Sequence, residues 1–202
     1  RVVTGVKIAN LGPSLTLKSW VVQSQERKVI RYTKKESTDL QAAEQLRRDV
    51  LTLSRELKFE KALPLAIRAY ETNLRILGYY HPKTASSAKN VAFQYQRLKE
   101  YQKAEKYVLI QQDVLKAVRG KDHYEYSLAC LEMHKIYKLT GNHRKSGEAL
   151  KEVIAFCQLL YGDNSHAVVC HNYELIISLI RAGRYVTANK LAIENVARCE
   201  TV

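Results

Sequence analysis

"GYYH" at Gly78–His81 is followed by "GKDH" at Gly120–His123 and "GDNS" at Gly162–Ser165, each 42 residues after the one before. That interval governs the reading of the chain, because a fixed period of roughly 20 to 50 residues marks a stack of repeated units. A second column keeps the register: Phe59, Tyr101, His143 and Tyr185 open "FEKALPLAI", "YQKAEKYVL", "HRKSGEALK" and "YVTANKLAI". Three residues further on stand small side chains, Ala62, Ala104, Ser146 and Ala188.

Between these markers apolar residues recur at helical spacing. Ala88, Val91, Ala92 and Tyr95 form one run, and Tyr101, Ala104 and Val108 form the next after a polar break at Lys99-Glu100. The pattern predicts helices over 39–56 and 60–77, 84–98 and 102–118, 125–140 and 144–161, and 166–182 and 186–200. About three residues join the two helices of a unit, enough only for an antiparallel hairpin. The expected fold class is all-α: an α-solenoid of about four stacked antiparallel helix pairs, with units near 39–80, 81–122, 123–164 and 165–202. Residues 1–38 form a short non-repeat N-terminal segment.

Punctuation agrees with the period. Gly78, Gly120 and Gly162 fall where a left-handed residue closes the second helix of a unit. His81 shares a column with Asp39, His123 and Ser165 and is expected to cap the next helix, with Pro82 in its first turn. Pro64 is placed within about the first turn of its helix, where backbone N–H groups lack an intrahelical partner. Ala62, Ala104, Ala188 and Ala92 let backbones approach, while Leu53, Tyr95, Tyr137 and Leu179 fill the space beside them.

These columns resemble tetratricopeptide repeats. The stretch "HPKTASSAKNVAFQYQRLKEYQKAEKYV", His81–Val108, is similar to the long-helix repeats of kinesin light chain and its relatives. The resemblance covers residues 39–202, with the second unit closest to the pattern. It departs at Gln111 and His134, each standing where a small residue is usual, and no heptad segment accompanies it. What it implies is a superhelix whose first helices line a concave groove for a cargo peptide.

Composition narrows the function classes. With 202 residues, 46% of them hydrophobic, the chain can bury a core without staples. Cys130, Cys157, Cys170 and Cys199 form no C-x-x-C pair, and no N-x-[ST] acceptor occurs, which favours a reducing intracellular setting, cytoplasmic, cytoskeletal or organellar. No apolar run approaches a bilayer's thickness, and residue 1 is Arg, so the chain reads as a soluble fragment or a processed product. The net charge of +13 divides into +6 on residues 1–38 (eight Lys/Arg, two Glu) and +7 on the remainder. The segment "SLTLKSWVVQSQERKVIRYTKKEST" reads as a strand pair or extended arm with Trp20 against the first repeat, or as a tether that orders on a partner.

Catalytic templates fail on inspection. There is no G-x-S-x-G elbow, and "GNHRKSG" from Gly141 carries its Lys-Ser ahead of the second glycine, unlike a phosphate loop. His166 and His171 lie roughly 140° apart around a helix, unlike a zinc-binding i, i+4 pair. Cys157 and Cys199 occupy equivalent positions one repeat apart and read as buried small hydrophobes. Paired columns, Tyr95 with Tyr137 and Tyr101 with Tyr185, assign those tyrosines to packing. No enzyme activity, cofactor or metal is expected.

The register also names a surface. Arg55, Arg97, Leu139 and Arg181 form one outward column on the first helices; Arg47, Lys89, Leu131 and Tyr173 form a second; Leu51, Phe93, Lys135 and Ile177 a third. Lys138 and Gln96 form a fourth, and Asn90 stands where the family's groove asparagine falls. The candidate groove is therefore Arg47, Arg55, Lys89, Asn90, Phe93, Arg97, Lys135, Lys138, Tyr173 and Arg181. Arg forks grip carboxylates and Asn bonds peptide backbone, so the expected partner is an extended acidic peptide with hydrophobic anchors, or a neighbouring subunit. A solvated face that only keeps the protein soluble is the plainer alternative, and a trough filled by the N-terminal segment is another. The alternative function is a subunit of a ribonucleoprotein or other nucleic-acid complex, with residues 1–38 on phosphate.

Overall fold

The computed structural model describes residues 32–199, and every regular element in that range is a helix. In chain order these are α1 (Lys34–Arg55), α2 (Phe59–Leu77), α3 (Pro82–Arg97), α4 (Tyr101–Arg119), α5 (Tyr124–Leu139), α6 (His143–Tyr161), α7 (His166–Arg181) and α8 (Tyr185–Cys199). Each helix packs on the next, which makes an all-α solenoid of four antiparallel pairs. Of the strand pair or arm expected over residues 1–38, residues 34–38 instead open α1, and residues 1–31, with Trp20, lie outside the described residues.

Local chemistry sets the helix ends. His81 Nδ1 accepts from Lys83 N at 3.1 Å and His123 Nδ1 accepts from Glu125 N at 3.2 Å, so both histidines cap their helices as the register predicts. Asp39 does not: α1 starts earlier, at Lys34, because Thr33 and Glu36 form a reciprocal capping box with Thr33 N donating to Glu36 at 2.8 Å. Asp39 instead accepts from Arg75 at 2.7 Å, tying α1 to α2. Ser165 makes no side-chain cap bond, its hydroxyl donating to the Gly162 carbonyl at 3.0 Å.

Gly78, Gly120 and Gly162 take φ of +84°, +84° and +85° with ψ near the extended value, a combination open essentially to glycine alone. Pro64 sits deeper than the first turn, as the sixth residue of α2. The helix runs through it without the bond a main-chain N–H would give to the Glu60 carbonyl.

One continuous core runs from Val50 to Ala188. The small-residue columns carry it: Ala62, Ala88, Ala104 and Ser146 have no exposed surface, so neighbouring backbones close to the distance only such side chains allow. Tyrosines fill the remaining volume, with Tyr107 edge-on to Tyr70 at 5.4 Å and stacked on Tyr95 at 5.8 Å. Cys157 is buried as expected, but Cys199 is exposed, because within the described residues nothing stacks beyond α8.

Candidate partner-binding groove

The first helices of neighbouring units also meet, α1 with α3 and α5 with α7. Gln94 Nε2 of α3 donates to Ser54 Oγ of α1 at 2.8 Å, and Lys138 Nζ of α5 donates to Glu174 of α7 at 2.7 Å. Side chains projecting from the same register position therefore follow one another along a single face.

Eight of the ten candidate residues are exposed there: Arg55, Lys89, Phe93, Arg97, Lys135, Lys138, Tyr173 and Arg181. Arg47 and Asn90 are half-buried. The ten are spread along the face rather than gathered into one pocket, and their charges fall into two groups.

Four of the cations already have partners. Arg47 is fixed to Glu44 at 2.6 Å, Lys135 to Glu132 at 2.8 Å and Lys138 to Glu174 at 2.7 Å, while the Arg97 guanidinium lies over the Phe59 ring at 5.0 Å and the Phe93 ring at 6.0 Å. The Arg47 hydrogen bonds hold the Glu44 carboxyl below its usual range, and Lys138 does the same to Glu174. Arg55, Lys89 and Arg181 form no salt bridge among the described residues. Exposed apolar side chains run along the same helices, at Leu51, Phe93, Leu139 and Tyr173.

Two clefts open at equivalent places between successive units. The first, about 120 Å³, is bounded by Glu44, Arg47, Lys83 and Ala69. The second, about 110 Å³, is bounded by Lys89, Arg119, Glu125 and Gln111. Neither was visible as a site in the sequence, although the Glu44–Arg47 and Glu132–Lys135 pairs are legible there as i, i+3 charges. The described residues hold no group of three or more His, Cys, Asp or Glu placed to bind a metal ion, and none of their helices is long and apolar enough to cross a membrane.

Comparison with solved structures places this geometry. The chain is similar to BtubC (BKLC) from P. vanneervenii, with a TM-score of 0.68 and 13% identity, over 91% of this chain and 70% of that one. Similar too are the Podosopora anserina putative kinesin light chain nearly identical TPR-like repeats, with a TM-score of 0.64 and 18% identity over 84% of this chain and 79% of that one. A variant of those repeats gives 0.63 and 17% over 82% and 76%. The chain has a TPR-like repeat fold. Neither a family model nor a curated protein matches the sequence. At these identities the likeness is one of fold.

Proposed function

We propose that this protein is a non-catalytic scaffold that docks an extended, acidic protein segment along the face of α1, α3, α5 and α7. The observation that carries the reading is the exposed column of Arg55, Arg97 and Arg181, none of which is tied to a carboxylate among the described residues. Guanidinium groups on units 1, 2 and 4 with no carboxylate partner among the described residues suit carboxylates spaced along a peptide, and Phe93, Leu139 and Tyr173 supply apolar anchor points beside them. Likeness to putative kinesin light chain repeats supports an adaptor role in a larger assembly, with a cytoplasmic or cytoskeletal setting.

The test is charge reversal of all three arginines to glutamate. Affinity capture of the partner should fall by about tenfold or more while helicity by circular dichroism stays unchanged. Undiminished capture would remove this face from the reading.

The second reading, nucleic-acid association, rests on the +6 carried by residues 1–38. Within the repeats, Tyr70, Tyr95 and Tyr137 are buried in the core, which leaves Phe93 and Tyr173 as the aromatics exposed beside the basic column.

A further inference from the structure

The two ends of the solenoid are finished differently. At the last unit, positions that face the following unit elsewhere in the stack stand open. Val196 is 60% exposed, whereas Tyr70 and Ile154 in the same column are each 7% exposed. Cys199 is exposed where Leu115 and Cys157 are buried. Ile180 of α7 is 47% exposed, yet two of its counterparts reach the next unit, Ser54 accepting from Gln94 and Lys138 donating to Glu174. Asn189 is exposed at the place of Gly147, where an added Cβ would meet Leu175 of the next unit at 3.2 Å. Tyr185 and Ala192 complete the surface, and none of these six side chains is charged.

The first unit is closed by polar groups instead. Thr52 occupies the register of Gln94 and Ser178, which bond back to the preceding unit, while Arg48 and Asp49 occupy those of Glu174 and Leu175, which also meet it. In α1 the same positions are finished for water, with Arg48 and Thr52 exposed and Gln45 Nε2 donating to Asp49 at 2.9 Å. Stacked repeats stay in solution when their outermost faces are polar, and apolar surface left at an end is a contact surface. The occupant must match an uncharged face. Stacking head to tail on the α1 of another copy would bury Arg48 and Asp49 against a surface with no charge to answer them. The α7–α8 end of another copy brings no charge to bury.

We propose that the α7–α8 end pairs with the same end of a second copy, the two α8 helices lying antiparallel about a two-fold axis near Ala192. Tyr185 and Cys199 stand equally far along α8 on either side of Ala192, so this arrangement sets each tyrosine beside the copy's Cys199. Ala192 at the crossing lets the backbones approach, as Ala66 in the same column does inside the stack. Each copy covers the other's Val196 and Ile180, and the polar α1 ends are left pointing outward. The contact is therefore isologous and closes at two chains.

Sedimentation equilibrium of the full 202-residue chain tests this, and a monomer–dimer equilibrium is expected. Val196→Arg and, separately, Ile180→Arg should each weaken dimerisation by about a hundredfold or more, because a two-fold contact takes every introduced charge twice. Helicity should not change, since both positions are exposed in the single chain. Thr52→Arg, at the other end, should leave the dimer as it is. Cross-linking then places the axis: with Cys170 and Cys199 changed to serine, Ala192→Cys should give a disulfide-linked dimer under mild oxidation, and Glu194→Cys, on the opposite side of α8, should not. A chain that stays monomeric at high concentration, or a dimer indifferent to both arginine variants, overturns the proposal. Association that lengthens with concentration and is lost in Thr52→Arg means head-to-tail stacking and overturns the two-fold. A dimer that is lost in the arginine variants but not linked through Ala192→Cys overturns the antiparallel axis.

Discussion

The first two units and the last two are built to one period and held together by different chemistry. Between units 1 and 2 the small-residue columns are hydrocarbon, with Ala62, Ala66, Ala88, Val91 and Ala92 buried to within 2% of completely, and a single hydrogen bond, from Gln94 to Ser54, crosses beside them. Between units 3 and 4 a polar string runs through the same place, from His134 Nδ1 to Ser146 Oγ at 2.9 Å and on to Ser178 Oγ at 3.2 Å. The outer face does not divide the same way, since each half holds paired cations (Arg47; Lys135 and Lys138) and cations without a salt bridge among the described residues (Arg55 and Lys89; Arg181). The repeat thus fixes how much room a column leaves, and either alanine or a hydrogen-bonded hydroxyl satisfies it.

The sharpest way to break the first half is to enlarge a column that must stay small. Ala88 has no exposed surface and belongs to the continuous core, so Ala88→Leu should cost about 1–3 kcal/mol through displaced neighbours. Urea denaturation measures it. A loss within a few tenths of a kcal/mol would mean that the alanine column is not what sets the spacing.

Both halves should answer to pH, the first through His81 and the second through His134 and His171. Burial pushes the His134 imidazole below its ordinary value of 6.5, with Glu174 at 3.8 Å and Ser146 opposing the shift and Lys138 and His171 adding to it. Above pH 6.5 the imidazole is neutral both folded and unfolded and adds no pH dependence. As pH falls below 6.5 the unfolded chain takes the proton first, so stability declines until native His134 is protonated too, by at most about 1.4 kcal/mol per pH unit. His81 and His171 are lowered by burial as well and share the slope. Glu174, held low by Lys138, acts in a separate window, its contribution being lost only as pH falls below 4.5. His134→Asn, which keeps a bond to Ser146, should flatten the decline between about pH 6.5 and 5 in thermal melts. An unchanged slope would assign it to the other two histidines.

How much of this was readable in advance follows the range of each interaction. The glycines, the histidine caps and the alanine columns are local and periodic, so the 42-residue register exposed them along with the fold. The Thr33–Glu36 capping box is equally local, but it lies ahead of the register and was passed over, which is why α1 begins at Lys34 rather than near 39. Lys138 meets Glu174 across 36 residues, and no spacing within one helix announces it. The cleft beside Gln111 is bounded by three helices from two units, so the sequence showed only a departure from a small-residue column, not the cleft that the residue lines.

The turns inside the units give the finest test of the same contrast. Leu57, Lys99, Gly141 and Gly183 form a column at the 42-residue interval, and all four have positive φ: 60°, 63°, 75° and 74°. The turn requires that conformation in every unit, yet only the last two supply glycine. A side chain in this region costs about 1–2 kcal/mol, while glycine gives back part of that through the freedom it loses on folding. Lys99 is exposed and engages no carboxylate among the described residues, so Lys99→Gly removes strain without breaking a contact. The variant should be more stable by about 0.5–1 kcal/mol, with Leu57→Gly similar and the two additive because they lie in different units. Chemical denaturation of the single and double variants reads this directly. A loss of stability in Lys99→Gly would show that the strain is offset by something the lysine does in the folded turn, and the two halves would then differ in more than the residue chosen for the bend.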